Sequence, residues 1–252
     1  MQRLQARTFL VTGATAGIGE ATARALAAEG ARVVLAARRK DRLAALAKEL
    51  PGSLALELDV RDSAACERAL GGLALAGVAL DGAVINAGLG RGLGSITEGN
   101  VDEWNEMLDT NVKGVLHTLH AILPGFLARG KGDLVLLGSV AGRQVYPGGN
   151  VYCASKHAVR AIYESLRVDL AGKNVRVTTV DPGMVLTDFS ITRFRGDRER
   201  AAKVYEGMTP LAPSDVADAI LYALTRPPHV NVGEIVLWPT DQASTTSVTR
   251  RQ

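Results

Sequence analysis

Thr8-Phe9-Leu10-Val11-Thr12-Gly13-Ala14-Thr15-Ala16-Gly17-Ile18-Gly19 is the stretch whose reading decides the fold. Residues 8–11 predict a short strand, and the alanine-rich run over 17–29 predicts a helix. Between them Gly13, Gly17 and Gly19 punctuate a turn that also carries Ala14, Thr15, Ala16 and Ile18. Glycines there permit tight turning and close backbone approach. The helix N-terminus then offers unpaired N–H groups to a pyrophosphate. The spacing is G-x3-G-x-G rather than the commoner G-x-G-x-x-G. Such a turn can be purely structural; its place at the first strand of an alternating pattern argues for a ligand.

Outward from this turn, strands are predicted over 32–36, 54–58, 82–85, 133–137, 176–180 and 234–237. Helices are predicted near 39–49, 62–70, 101–128, 151–171 and 214–225. The long helix shows its period in Val101, Trp104, Leu108, Val112, Val115, Leu119, Ile122 and Phe126. Continuous apolar strands alternating with helices predict an α/β fold: a Rossmann-type, doubly wound, mostly parallel seven-stranded sheet with helices on both faces. A chain of 252 residues buries roughly 70–75% of its unfolded surface in one core, so 1–252 is expected to form a single domain. Two regions break the pattern. Residues 183–212, with Gly, Pro and Arg, are long enough to be a lid over a site. The polar tail 239–252 is left open between fraying and docking on a partner subunit.

Composition excludes several classes. The apolar fraction is 47% and the charged fraction 22%, as in ordinary globular proteins and not disordered ones. The net charge is +3 with dispersed arginines, so no nucleic-acid footprint is expected. Two cysteines, Cys66 and Cys153, make no disulfide framework and match a reducing cytosol. His117, His120, His157 and His229 form no recognisable metal set, so no metal is expected. The opening Met-Gln-Arg-Leu-Gln-Ala-Arg has no apolar core ahead of a cleavage site. The run 73–80 is too short to span a bilayer. A cytoplasmic protein without a membrane partner is expected.

The strand ends carry the chemistry. After the second strand come Arg38 and Arg39, with no acid before Asp41. An acid there would hold a ribose 2′-hydroxyl, whereas arginine accommodates a 2′-phosphate, which points to NADP. Asp59 and Val60 end the third strand, where a carboxylate can accept from the adenine amine. Asn86, Ala87 and Gly88 end the fourth, where ligands gather in open sheets.

Tyr152 and Lys156, in Val-Tyr-Cys-Ala-Ser-Lys-His, share a helix face at i, i+4. A phenol ionises near ~10, too high for neutral acid–base work, and a neighbouring ammonium favours the phenolate. Lowering it by about three units takes roughly 4 kcal/mol. One lysine supplies only part, so a second positive charge such as an oxidised nicotinamide is implied. The chain reads as an enzyme that moves a proton and a hydride together.

These motifs, with Asn111, Ser139 and Pro182-Gly183 in order, resemble the short-chain dehydrogenase/reductase family in its single-domain form. The resemblance covers nearly the whole chain; Ile85 departs from it where many members carry a second asparagine. It implies Tyr152 as general acid/base, Lys156 as the group that lowers its pKa and binds the nicotinamide ribose, and Ser139 as the donor to the reacting carbonyl. Asn111 would hold a water linking Lys156 to solvent; an asparagine mid-helix is mildly unfavourable, which fits a local task. By the same likeness Pro182, Gly183, Val185 and Thr187 close over the nicotinamide end, and subunits build a tetramer. Gln144 and Tyr146 are expected to border the substrate pocket, and Arg193 and Arg195 to hold a substrate carboxylate bidentately.

A narrower similarity, in 148–152, 193–197 and 229–231, is to NADP-dependent 3-hydroxy acid (serine-type) dehydrogenases; it thins over 183–191. The expected substrate is a small-molecule alcohol or carbonyl. A reductase for a bulkier ketone and a non-catalytic NADP-binding sensor stand as alternatives.

Overall fold

The computed structural model describes residues 3–251 and places seven strands in one sheet. They are β1 (Thr8–Thr12), β2 (Arg32–Ala37), β3 (Leu54–Glu57), β4 (Gly82–Ile85), β5 (Gly132–Leu137), β6 (Val175–Pro182) and β7 (Glu234–Leu237). Their order is β3-β2-β1-β4-β5-β6-β7. Every pairing is parallel, a stricter outcome than the mostly parallel sheet expected. The chain winds outward from β1 to β3 and then returns to lay β4 beside β1. That reversal opens a crevice at the carboxyl ends of β1 and β4.

Strand alternation sorts the core into two layers. Leu10, Val34, Ala36, Ala83, Ile85, Leu134 and Leu136 face α3 (Ser63–Leu75), α5 (Gly114–Arg129) and α6 (Asn150–Asp169). Phe9, Val11, Val33, Leu35, Val84 and Val135 face α1 (Gly17–Ala28), α2 (Lys40–Glu49) and α9 (Pro213–Leu224). Burial on both faces is why these strands read as unbroken apolar runs.

The single helix expected over 101–128 is instead broken. α4 (Val101–Leu108) passes through a π-helical turn, Asp109–Lys113, into α5. The extra residue in that turn shifts the buried face. Val115, Leu119, Ile122 and Phe126 are buried as their period requires, but upstream Met107 is buried while Val101 and Leu108 are exposed. The turn carries Asn111, whose side chain is saturated by tertiary partners. Its Oδ1 accepts from Leu89 N at 2.8 Å, and its Nδ2 donates to Leu89 O at 2.8 Å and Ser155 Oγ at 3.0 Å.

Residues 183–212 are more ordered than a plain insertion. They hold α7 (Phe189–Arg193) and α8 (Arg198–Lys203) and lie over the carboxyl ends of the strands. The tail docks on its own body. Asp241 accepts from Thr209 N at 2.8 Å, Arg251 N donates to Gly207 O at 2.6 Å, and Gln242 Oε1 accepts from Met184 N at 2.9 Å.

Candidate active site

A cleft of about 810 Å³ occupies the crevice, running from Arg38 and Asp59 to Tyr152 and Arg193. Its floor is the turn after β1. Gly13 and Gly17 have φ of 68° and 54°, the left-handed region that favours glycine. A Cβ on Gly19 would stand 2.3 Å from Gly13 O, so that position admits no side chain. Thr12 Oγ1 accepts from both Asn86 N and Ala87 N at 3.0 Å, and Asn86 Nδ2 donates to Thr12 O at 2.9 Å. Thus Asn86 braces the turn from β4. Ala14 and Gly19 are buried beneath it. Thr15, Ala16, Gly17, Ile18, Ala87 and Gly88 line the cleft. Ala16, as the N-cap of α1, offers no side-chain acceptor, which leaves first-turn N–H groups for an anionic ligand.

Arg39 donates to Thr15 Oγ1 at 2.9 Å and Thr15 O at 3.1 Å, and Arg38 lies exposed beside it. Burial, then the neighbouring Arg42, lowers the Arg39 pKa. A cluster that repels its own members wants an anion, and a 2′-phosphate supplies one. Together the glycine cradle, the uncapped helix and this cluster fit a phosphorylated dinucleotide.

Asp59 and Val60 line the cleft, and Asp59 already has a partner there. Its carboxylate is taken by Arg61, whose Nη2 donates to Oδ2 at 2.6 Å and whose N donates to Oδ1 at 3.0 Å. That pairing holds the carboxyl below its usual range and competes with any adenine amine. Val60 O lies 3.0 Å from His117 Nδ1.

Ser139, Tyr152 and Lys156 meet at the other end of the cleft. Ser139 follows β5, and its Oγ accepts from Ala141 N at 3.1 Å and lies 3.5 Å from Pro182 O. Lys156, buried on α6, donates from Nζ to Leu137 O at 2.8 Å. Its pKa falls to about 8 through burial, opposed by Asp181. Among the protein's own groups, the electrostatics of Tyr152 run opposite to expectation. Burial raises its pKa, with Tyr146 adding to the rise, while Arg193 and the Ser139 hydroxyl oppose it. Burial outweighs them, and Lys156 is directed at the strand carbonyl rather than at the phenol. Asn111 lies behind the cleft, its amide donors already committed to Leu89 and Ser155, so it braces α6 instead of facing the cleft.

Beside Tyr152 the two arginines part. Arg193 enters the cleft: its Cζ lies 5.0 Å from the Tyr152 ring, 4.9 Å from Phe189 and 5.9 Å from Tyr146. Nη2 donates to Tyr146 OH at 2.9 Å, while Nε is buried without a partner. Arg195, in contrast, points to solvent and pairs with Glu103 at 2.7 Å. It does not reach the pocket. Gln144 is also corrected: it is exposed, and its Oε1 accepts from Thr245 N at 3.1 Å instead of facing substrate. Pro182, Gly183, Val185 and Thr187 do line the cleft, and Thr187 packs over Gly17.

Sequence reasoning missed part of the wall. Leu89, Leu93, Phe189 and Tyr205 supply apolar surface, and Gln242, Thr246 and Arg250 come from the tail. The aromatic residues within 183–212 were a usable signal for Phe189 and Tyr205. The tail has no periodicity that could have announced its docking. Among the described residues no group of His, Cys, Asp or Glu is placed to hold a metal ion, and no helix is long and apolar enough to cross a membrane.

A parallel sheet with a phosphate-binding turn at its reversal point, and serine, tyrosine and lysine at its mouth, defines a dinucleotide-dependent oxidoreductase. The chain belongs to the short chain dehydrogenase family, whose model matches residues 7–197. It is 48% identical over 238 residues to an uncharacterized oxidoreductase of Mycobacterium tuberculosis, covering 94% of this chain and 93% of that one. It is 44% identical over 236 residues to the NADP-dependent 3-hydroxy acid dehydrogenase YdfG of Salmonella typhi, covering 93% and 95%. Among solved structures, the closed form of a serine dehydrogenase complexed with NADP+ superposes with a TM-score of 0.92 at 40% identity, covering 97% of this chain and all of that one.

Proposed function

We propose that this enzyme uses NADP(H) to interconvert the alcohol and ketone forms of small 3-hydroxy acids. The observation that carries the reading is Arg193: a guanidinium boxed by Tyr146, Tyr152 and Phe189, with a buried Nε that has no partner. A carboxylate would satisfy that donor and neutralise the buried charge. The cation cluster at Arg38 and Arg39, and the NADP-dependent 3-hydroxy acid and serine dehydrogenases among the relatives, support the same reading.

Ser139 donates to the reacting oxygen and polarises it. Tyr152, kept neutral by burial, gives its proton to that oxygen in reduction; in oxidation it must act as the phenolate, a form that positive charge from Lys156 and an oxidised nicotinamide would favour. When bound, a nicotinamide would supply or accept the hydride and, oxidised, add positive charge near Tyr152. Lys156 supplies a second positive charge and binds the nicotinamide ribose. Asn111 seats α6 so that Lys156 keeps its register and a water behind it can return protons. Residues 183–212 close over the cleft and exclude water during transfer. Gly13, Thr15, Gly17, Ile18, Asn86, Gly88, Gly183, Val185 and Thr187 form the cofactor's contact surface.

The exposed Leu116, Leu127 and Val168 on α5 and α6 support a homotetramer built on these helices. The free, buried Cys66 and Cys153 suit the cytoplasm.

The test is reduced-nicotinamide absorbance with a panel of 3-hydroxy acids and uncharged alcohols of equal length. Arg193→Ala is expected to raise KM for the acids by about tenfold or more and leave the uncharged alcohols unchanged. Equal effects on both sets would remove the carboxylate anchor.

A further inference from the structure

Near the carboxyl end of β6, Asp181 is 3% exposed, and nothing in the chemistry above uses it. Its carboxylate is firmly held: Oδ1 accepts from Thr179 Oγ1 at 2.7 Å, and Oδ2 from Arg143 Nε at 2.7 Å. Arg143 in turn reaches Glu234 on β7. The carboxylate also lies hard against the end of β5. A Cβ on Gly138 would stand 1.8 Å from Asp181 Oδ1 and 3.0 Å from Thr179 Oγ1, so only glycine admits it. Gly138 is the residue between Leu137, whose carbonyl receives the Lys156 ammonium, and Ser139. Its own N–H donates to Val180 O at 2.9 Å, which ties this segment to β6.

A buried ammonium resting on a neutral carbonyl is poorly solvated, and without nearby negative charge it gives up its proton. We infer that Asp181 is a positioning residue for Lys156: its carboxylate is the countercharge that keeps the ammonium charged against β5, and Arg143 sets how much of that charge Lys156 feels. The directions agree, since burial lowers Lys156 and Asp181 is the group that raises it. The other charged or titratable groups around the pair are Arg143, Glu234 and, on α6, Tyr163. Arg160 and Arg167 act on Glu234, while Tyr146 and Arg193 act on Tyr152.

The consequence for turnover rests on reading Lys156 as part of the acid/base site, so the test measures the lysine directly as well as the rate. In the full chain labelled with 13Cε-lysine, the Lys156 resonance is assigned by its loss in Lys156→Arg and titrated in each variant. Asp181→Asn is expected to lower its midpoint by about one pH unit. Arg143→Gln, which frees the carboxylate, is expected to raise it, and Asp181→Glu to stay near the parent. The alkaline limb of kcat/KM for ketone reduction should move with the same signs. Opposite shifts in two variants that both delete an ion pair cannot come from a merely structural loss. If Lys156 titrates alike in every variant, the inference is overturned. If the resonance moves while the rate limb stays fixed, the countercharge stands and the catalytic reading of Lys156 fails instead.

Discussion

Tyr152 is held in its neutral form by burial, and that sets what a single substitution does. Removing its hydroxyl in Tyr152→Phe leaves the ring, its edge contact with Phe189 and the seat of α6 in place. The expected result is a fall in kcat of about 10²–10⁴-fold with cofactor affinity unchanged, read by steady-state kinetics and fluorescence titration. At the opposite end of the cleft, Arg38 and Arg39 present two guanidinium groups where a 2′-phosphate would sit. Replacing Arg38 by Asp should weaken NADP binding by more than tenfold, since a charged hydrogen bond is worth about 1.5–3 kcal/mol, and improve binding of NAD. Unchanged selectivity in a calorimetric titration of both nucleotides would place the phosphate elsewhere. Both effects follow from residue types visible in the sequence. What could not be read there is that Arg193 turns inward while Arg195 turns out to Glu103. Two arginines two positions apart look alike until the backbone, left-handed at Arg195 with φ 53°, sends them apart.

The π turn between α4 and α5 decides the geometry of that element. A continuous α-helical period over 101–128 predicts the wrong face for its first half, because one extra residue in the turn rotates everything upstream. The same turn carries Asn111 to Leu89 and Ser155, binding the loop after β4 to α6. Asn111→Ala strands the Leu89 N–H and carbonyl in a buried setting. The expected loss is about 1–3 kcal/mol, measured by urea unfolding, together with a drop in kcat as α6 loses its brace. Full stability in that variant would show that the hydrogen bonds contribute nothing net. Asn111 was legible as an oddity in a helix; its partners were not, since they lie 22 and 44 positions away.

Across the whole molecule, several carboxylates are bound to arginine. Arg3 holds the Glu29 carboxyl down at about 2, and Arg91 and Arg143 lower Glu106 and Glu234. A carboxyl depressed on folding contributes stability above its unfolded value and loses it as pH falls through the folded one. The urea midpoint should therefore be flat toward neutrality and decline as the pH drops from 4.5, the ordinary value for Glu29, toward about 2. Because the Arg3–Glu29 pair lies at the surface and keeps contact with solvent, added salt should shrink its share. A midpoint constant through that range would deny these pairs a stabilising role.

The order of strands and helices, the glycine turn after β1, the arginine pair after β2 and the serine–tyrosine–lysine set were all determined by the sequence itself. Each depends on local periodicity, on glycine's lack of a side chain or on short spacing along one helix. Tertiary structure alone decided the rest: that Asp59 belongs to Arg61, that burial outweighs every charge acting on Tyr152, that Gln144 faces the tail and that the tail walls the cleft. Burial and partner choice depend on which distant segments share one volume, and no local pattern in a chain carries that information.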